Sequence, residues 1–221
     1  MAASRPEEQR RLLVAALLAA ALTSAPNAAA QDTVGGRDAA TLGGTVYVGD
    51  AVMRGGTVVL HHLTGGSQGA LDSARIAGDG TFRFELPWAP DPARSDVYFA
   101  SVRHDGVLYF GPAITEAAQL DSAYAVTAYD TLLAPAGGMR VPLRSRSIFF
   151  EPDSAGSWRV TDIFQLFNEQ DRTLVTREGG FVWAHPLPAT ATDVIAGEGE
   201  LSFAAAEFDE GRLVVRAAIP P

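Results

Sequence analysis

Apolar and polar residues alternate in short runs along most of the chain, and this pattern predicts β-strands. In the clearest run, Thr81 to Leu86, three bulky apolar side chains alternate with polar ones, so one face is apolar and the other is solvated. The Asp105-Gly106 pair is a strong turn signal and predicts a hairpin between its flanking runs. Further strands are predicted at Thr45 to Val48, Thr57 to His62, Asp96 to His104, Val107 to Phe110, Tyr124 to Tyr129, Val141 to Phe150, Trp158 to Asn168, Phe181 to Trp183, Leu201 to Phe208 and Arg212 to Ala218.

The best internal boundary is the stretch from Thr131 to Gly138, which contains Pro135 and a pair of glycines. It divides the chain into a first unit, Gly43 to Thr131, and a second unit, Met139 to Pro221. Each has about the size of a small β-sandwich, so the pattern predicts an all-β chain of two tandem immunoglobulin-like or transthyretin-like sandwiches. A single large sandwich is the alternative. Trp158 and Trp183 alternate with apolar residues and are predicted to lie in the core.

Residues Met1 to Ala30 have the features of a secretory signal peptide: a basic start, an apolar run from Leu12 to Leu22 and an alanine triplet at the end. The run is shorter than the ~20 residues of a membrane-spanning helix, so cleavage rather than anchoring is predicted. The pair Arg10-Arg11 is also compatible with a twin-arginine export signal, so both the general secretory pathway and the twin-arginine pathway remain possible routes. The product is expected outside the cytoplasm, in the periplasm, at the cell surface or in the medium. Gln31 to Leu42 is predicted to be a flexible lead-in.

Composition narrows the possible chemistry. The net charge of −9 argues against nucleic-acid binding, which needs a basic face. All 17 basic residues are arginine, so lysine chemistry is excluded. The chain has no cysteine, which excludes a thiol nucleophile, a thiolate zinc site and a disulfide framework. No cofactor is expected.

The first unit resembles the carboxypeptidase regulatory-like domains, which are transthyretin-like sandwiches. Three stretches carry the resemblance: Gly44-Thr-Val-Tyr-Val, Gly56-Thr-Val-Val-Leu, and Gly78-Asp-Gly-Thr-Phe-Arg-Phe with the later Leu86-Pro87. The resemblance implies an exported, non-catalytic module that serves as a spacer, an assembly domain or a binding platform. It carries over no functional residues, because the motif encodes a scaffold.

Histidines are the first candidates for a metal site. His61 and His62 are adjacent, but neighbouring residues of a strand point to opposite faces, so the pair is not expected to share one ion. His104 and His185 lie elsewhere in the chain, and a zinc site needs three or four converging ligands. No metal site is therefore predicted, and a metal-dependent hydrolase built on the histidines is kept only as a third hypothesis.

Carboxylates and serines give no catalytic set. Glu198 and Glu200 could form a glycosidase-like pair, but charges that protect a strand edge are the favoured interpretation. Ser101 and Ser154 lack a glycine-framed context, and no G-x-S-x-G or H-E-x-x-H motif is present. The aspartates of the first unit lie at predicted turns without the spacing of a calcium loop, so a turn-forming role is predicted for them. They are Asp72, Asp79, Asp91, Asp96, Asp105, Asp121 and Asp130.

Trp88 is the single candidate ligand-binding residue. It lies in a proline-rich loop, where an indole can stack on a sugar or dock into a partner. The alternative is that it folds back over its own sandwich. The chain is therefore expected to be an exported, non-catalytic envelope or extracellular module with a protein or glycan partner. A carbohydrate-binding module is the alternative function. The abrupt end at Pro221 suggests that the second unit is incomplete and that a membrane anchor follows downstream.

Overall fold

The computed structural model describes residues 40–66, 68–154, 156–195 and 206–221. This part of the chain is all-β, as the alternation predicts. Its only helical segments are the 3-10 turns Pro92–Arg94 and Ala117–Asp121. None of its helices is long and apolar enough to cross a membrane. The predicted signal peptide, Met1 to Ala30, lies outside the described residues.

The strands follow one another at short intervals. In chain order they are β1 Ala40–Val48, β2 Ala51–Val52, β3 Thr57–Leu63, β4 Gln68–Arg75, β5 Thr81–Leu86, β6 Val97–His104, β7 Val107–Phe110, β8 Tyr124–Ala128, β9 Thr131–Leu133, β10 Leu143–Pro152, β11 Trp158–Leu166, β12 Thr173–Val175, β13 Trp183–Pro186, β14 Ala206–Asp209 and β15 Arg212–Val215.

Two sheets enclose the first core. In one sheet, β1 is central, with β8 parallel on one side and β5 and β2 antiparallel on the other. The second sheet has the order β4-β3-β6-β7 and is antiparallel. Alternate residues of both sheets form one buried cluster drawn from residues 42–128. Two sheets packed through such alternating inner faces form a β-sandwich.

Gly44 shows how closely the residues of the first sheet pack around β1, since both of the residues that crowd it lie on strands paired with β1. A Cβ atom at this position would lie 2.6 Å from the ring of Phe82 and 2.9 Å from the carbonyl oxygen of Tyr124. Tyr124 itself accepts a hydrogen bond from the Ala100 amide at 2.8 Å, which ties β8 to the facing sheet. The aromatic rings therefore fill the space that a glycine leaves open.

The predicted boundary stretch makes strand contacts with the second part of the chain. β9 begins at Thr131 and pairs in parallel with β12. Nearby, the Tyr109 hydroxyl donates to Thr173 Oγ1 at 2.7 Å or to the Tyr129 carbonyl at 2.8 Å. Thr173 is fully buried. A short strand pair and a buried hydroxyl pair thus connect the two parts.

The second part has a smaller core and a projecting hairpin. Its buried cluster is drawn from residues 141–219 and centres on Trp183, as predicted for that residue. The sheet β13-β15-β14 covers part of the cluster. β10 and β11 form a separate two-stranded antiparallel sheet, which we call the ribbon.

Two sequence-based predictions need correction, and the short strands β2, β9 and β12 were not predicted. The lead-in was expected to be unpatterned up to Leu42, but β1 already begins at Ala40 and Leu42 is fully buried, because its side chain faces the core of the sandwich. Trp158 was expected in the core and is 64% exposed, because β11 extends beyond the layer that covers its base. β4 was not predicted at all. Residues 31–39 lie outside the described residues.

Candidate functional site

The loop that carries Trp88 folds onto a buried carboxylate. Asp96 is 3% exposed and stands at the start of β6. Its Oδ2 accepts hydrogen bonds from the Trp88 indole at 3.1 Å and from Arg94 Nε at 2.8 Å. Its Oδ1 lies 3.2 Å from His62 Nε2. The half-buried Trp88 ring also meets the His62 ring edge-on, with 5.6 Å between centroids.

This network keeps the Asp96 carboxylate charged. Burial alone raises the pKa of Asp96, but the hydrogen bonds from Arg94, His62 and Trp88 outweigh it, so the pKa is lowered. Three side chains form hydrogen bonds with this one carboxylate. The cluster therefore has the features of a structural element that holds the loop against the sandwich. The indole edge of Trp88 is directed at Asp96. A sugar-binding role for Trp88 stays a prediction.

His61 and His62 point to opposite faces of β3, as predicted. His61 lies opposite Phe99 in the register and stacks on its ring at 4.9 Å, whereas His62 lies opposite Tyr98 and stacks on that ring at 4.3 Å. Each histidine therefore has its own aromatic and polar partners. The structure does not bring the two rings to one site.

His61 also forms a serine–histidine pair that sequence reasoning missed. Its Nε2 lies 2.8 Å from Ser101 Oγ, although 40 residues separate the two in sequence. Ser101 is 1% exposed, beneath a cluster formed by His61, Phe99 and Phe110. A nucleophile must reach its substrate, and this hydroxyl is covered. Burial lowers the pKa of His61, so the ring stays neutral near pH 7.

A second unforeseen group joins the β6–β7 turn to the end of β8. One potential ligand atom from each of His104, Asp105 and Asp130 lies within 4.8 Å of the others. His104 Nε2 is 2.9 Å from Asp130 Oδ1. Both carboxylates are largely exposed. The geometry is that of a surface histidine hydrogen-bonded to one carboxylate with a second carboxylate nearby. The spacing of these residues in the sequence did not predict the group.

Asp79 and Asp91 fix turns, as predicted, whereas Asp72 lies within β4 and Asp96 is the buried acceptor described above. The Asp79 carboxylate accepts bonds from the amide and the hydroxyl of Thr81, which lowers its pKa. Asp91 caps the 3-10 turn by accepting from the Ala93 amide at 2.9 Å. Glu198 and Glu200 lie outside the described residues.

The ribbon presents an extensive apolar surface. The register pairs Phe150 with Val160 and Pro152 with Trp158, and residues paired in this way share a face. Together with Ile148 they define what we call the apolar face. Phe150 and Trp158 are 62% and 64% exposed, Val160 is 50% exposed and Ile148 is 41% exposed.

Toward the base of the ribbon the same face is covered. Phe164 meets Trp183 at 5.5 Å and His185 at 4.8 Å between ring centroids. Between the covered and the open parts, Arg146 donates two bonds to the Asp162 carboxylate, with a shortest distance of 2.6 Å. Arg146 also lies over the Phe164 ring at 5.0 Å. The salt bridge thus marks where the core ends and the exposed apolar face begins.

The opposite face of the ribbon is mixed. It carries the exposed apolar residues Phe149 and Ile163, but also Ser147, Thr161 and a Glu151–Arg159 cross-strand pair. In the described residues neither β10 nor β11 pairs with a further strand. The ribbon therefore offers one apolar face, one mixed face and two free edges.

No protein-family model matches the chain, and no curated protein or solved structure shows significant similarity to it. The resemblance to carboxypeptidase regulatory-like domains therefore stays a prediction.

Proposed function

We propose that the protein is an exported, non-catalytic interaction module that binds a protein partner through the apolar face of the ribbon. Export is inferred from the sequence of Met1 to Ala30. The observation that carries the binding proposal is the open continuation of a core-forming strand face, with Phe150 and Trp158 each more than 60% exposed. Contiguous exposed apolar patches of this kind mark interaction sites.

The composition of the face favours a protein over a glycan. Aromatic residues are enriched at protein interfaces and are the usual energetic centres of binding. Sugar platforms combine aromatic rings with polar groups, whereas here the aliphatic Ile148 and Val160 lie beside the rings. The two charged groups of this face, Arg146 and Asp162, bind each other.

Site-specific photo-crosslinking tests the proposal in the cell that produces the protein. A photoreactive phenylalanine analogue replaces Phe150 in one variant and Phe149 in another. The two positions are adjacent and similarly exposed, at 62% and 54%, but lie on opposite faces. A discrete protein adduct from position 150 and a much weaker one from position 149 is the expected result. Equal labelling from both positions, or none from either, contradicts a binding role for the apolar face.

The non-catalytic part of the proposal has its own test. A panel of hydrolase substrates is expected to show no turnover above that of the buffer. Turnover that is abolished by His61→Gln or by Ser101→Ala would overturn it, because those residues form the one serine–histidine pair in the described residues.

A further inference from the structure

We propose that the partner of the apolar face is a second copy of this chain, so that two ribbons pack face to face and form a homodimer. This inference rests on the proposed function and names its partner. The apolar face is defined by Ile148, Phe150, Pro152, Trp158 and Val160.

The first argument is charge. The chain carries a net charge of −9, so two copies repel each other over most of their surface. Between Leu143 and Leu166, however, three arginines balance three carboxylates. They are Arg144, Arg146, Arg159, Glu151, Asp153 and Asp162. The ribbon is thus a neutral projection from an acidic chain, so a second copy that approaches the ribbon meets no net charge there.

The second argument is reach. Six residues separate Phe164, which packs on the core, from Trp158 near the tip, and at ~3.3 Å per residue they span about 20 Å. The Debye length at physiological ionic strength is about 8 Å. Two ribbons that pack face to face in antiparallel orientation place their acidic bodies at opposite ends of the pair, beyond the range of strong mutual repulsion at this ionic strength.

The third argument is area. With ~150–250 Å² for a whole aromatic side chain, the exposed fractions of the apolar face leave about 400 Å² of apolar surface per copy. Complete burial of both faces removes at most about 800 Å² of apolar surface, and because about 60% of an interface is apolar, the whole interface reaches at most ~1,300 Å². Stable protein interfaces bury about 1,200–2,000 Å², so the face is sufficient for a dimer.

Other occupants fit less well. A bilayer with anionic lipids attracts segments that carry an excess of basic residues. This ribbon is neutral, and the turn between its strands carries Asp153. The free polar groups that a glycan needs are lacking on the apolar face, where Arg146 and Asp162 are already paired.

Sedimentation equilibrium of the full chain, purified as the producing cell delivers it, tests the dimer over roughly 1 to 100 μM. The wild type is expected to show a monomer–dimer equilibrium. Phe150→Ser and Trp158→Ser are each expected to raise the dissociation constant at least about tenfold, whereas Phe149→Ser changes it less than about threefold. All three side chains are more than half exposed, so none of the variants removes a core residue. Far-ultraviolet circular dichroism verifies their fold.

Salt gives a second signature. At about 20 mM salt the Debye length is roughly 20 Å, comparable with the reach of the ribbon, so the acidic bodies still repel each other. Raising the salt to about 300 mM is therefore expected to tighten the dimer, whereas an interface held by ion pairs would weaken. A wild type that stays monomeric throughout overturns the inference, whether or not it sediments with vesicles of phosphatidylcholine and phosphatidylglycerol. Equal effects of Phe149→Ser and Phe150→Ser also overturn it. A monomer that still crosslinks from position 150 to a different protein refutes the second copy alone and leaves the proposed function intact.

Discussion

Trp88 donates its indole N–H to the buried carboxylate of Asp96, at 3.1 Å across eight residues of sequence. The bond converts a proline-rich loop into a part of the sandwich, because Arg94 and His62 converge on the same carboxylate. We expect Asp96→Ala to lower the free energy of unfolding by about 2–4 kcal/mol, since three donors lose one acceptor inside the protein. Urea denaturation measures the loss. Asp121→Ala, at an exposed position, is the control and is expected to change stability by less than ~0.5 kcal/mol.

The lowered pKa of Asp96 predicts how the stability of the fold changes in acid. The pKa of Asp96 is lowered in the folded chain, so its stabilising contribution is fully present above the unfolded value of about 3.9 and is lost as the pH falls through the lower folded value. Urea titrations between pH 5 and pH 2 are expected to show a smaller decline for Asp96→Ala than for the wild type. Parallel declines for the two proteins would mean that Asp96 is not paired in the folded state.

The lowered pKa of His61 predicts a second dependence of stability on pH, in a higher range. Burial lowers its pKa, so stability from this group is present above about 6.5, where the unfolded histidine is neutral, and declines as the pH falls toward the folded value. Burial also lowers the pKa of His185, which adds to the same slope. We expect His61→Gln to reduce the loss of urea resistance between about pH 7.5 and 5. An unchanged slope in this variant would contradict a buried neutral ring.

Gly44 and Gly43 form a matched pair for the packing of β1. A methyl group at Gly44 meets the Phe82 ring at 2.6 Å, whereas at Gly43 the nearest atom lies 4.0 Å away. Gly44→Ala is therefore expected to destabilise the chain by about 1–3 kcal/mol through overpacking. Gly43→Ala is expected to be neutral or slightly stabilising. Thermal denaturation of both variants checks the difference, and a similar loss in both would show that the Phe82 ring does not pack against Gly44 as described.

The buried bond between Tyr109 and Thr173 predicts coupling between the two parts of the chain. Their hydroxyl oxygens are 2.7 Å apart although 64 residues separate them. In a double-mutant cycle with Tyr109→Phe and Thr173→Val, we expect a coupling free energy of about 0.5–1.5 kcal/mol. Additive effects would show that the hydroxyls do not share a bond in solution.

Strands that bury one face were predictable from sequence. β5 alternates fully, with three buried apolar residues between exposed ones, and Thr81 to Leu86 has the same bounds in sequence and structure. β4 escaped prediction because it lies at an edge of its sheet and has little to bury: apart from the exposed Leu71, its residues are small or polar. Alternation detects burial, and an edge strand without a buried face gives no such signal.

The candidate sites depend on contacts that sequence spacing does not encode. The Asp96 cluster was foreseen only as separate histidine, aspartate and tryptophan residues. Trp158 of the apolar face was wrongly placed in the core for a physical reason: a strand face that continues past its covering layer keeps the same alternation as one that stays covered. Trp158 and Trp183 share that pattern, and only the arrangement of the layers tells them apart.

Hydroxyl-radical footprinting in the producing cell is the most direct measurement of the central claim, that the apolar face is occupied by a protein. The labelling of Phe150 and Trp158 is compared with that of Phe149 within the same molecules, and again in dilute purified protein. We predict that Phe150 and Trp158 are protected at least about threefold in the cell relative to the dilute protein while Phe149 is not, since buried interface centres exclude water. Equal labelling of Phe149 and Phe150 under both conditions would contradict the account.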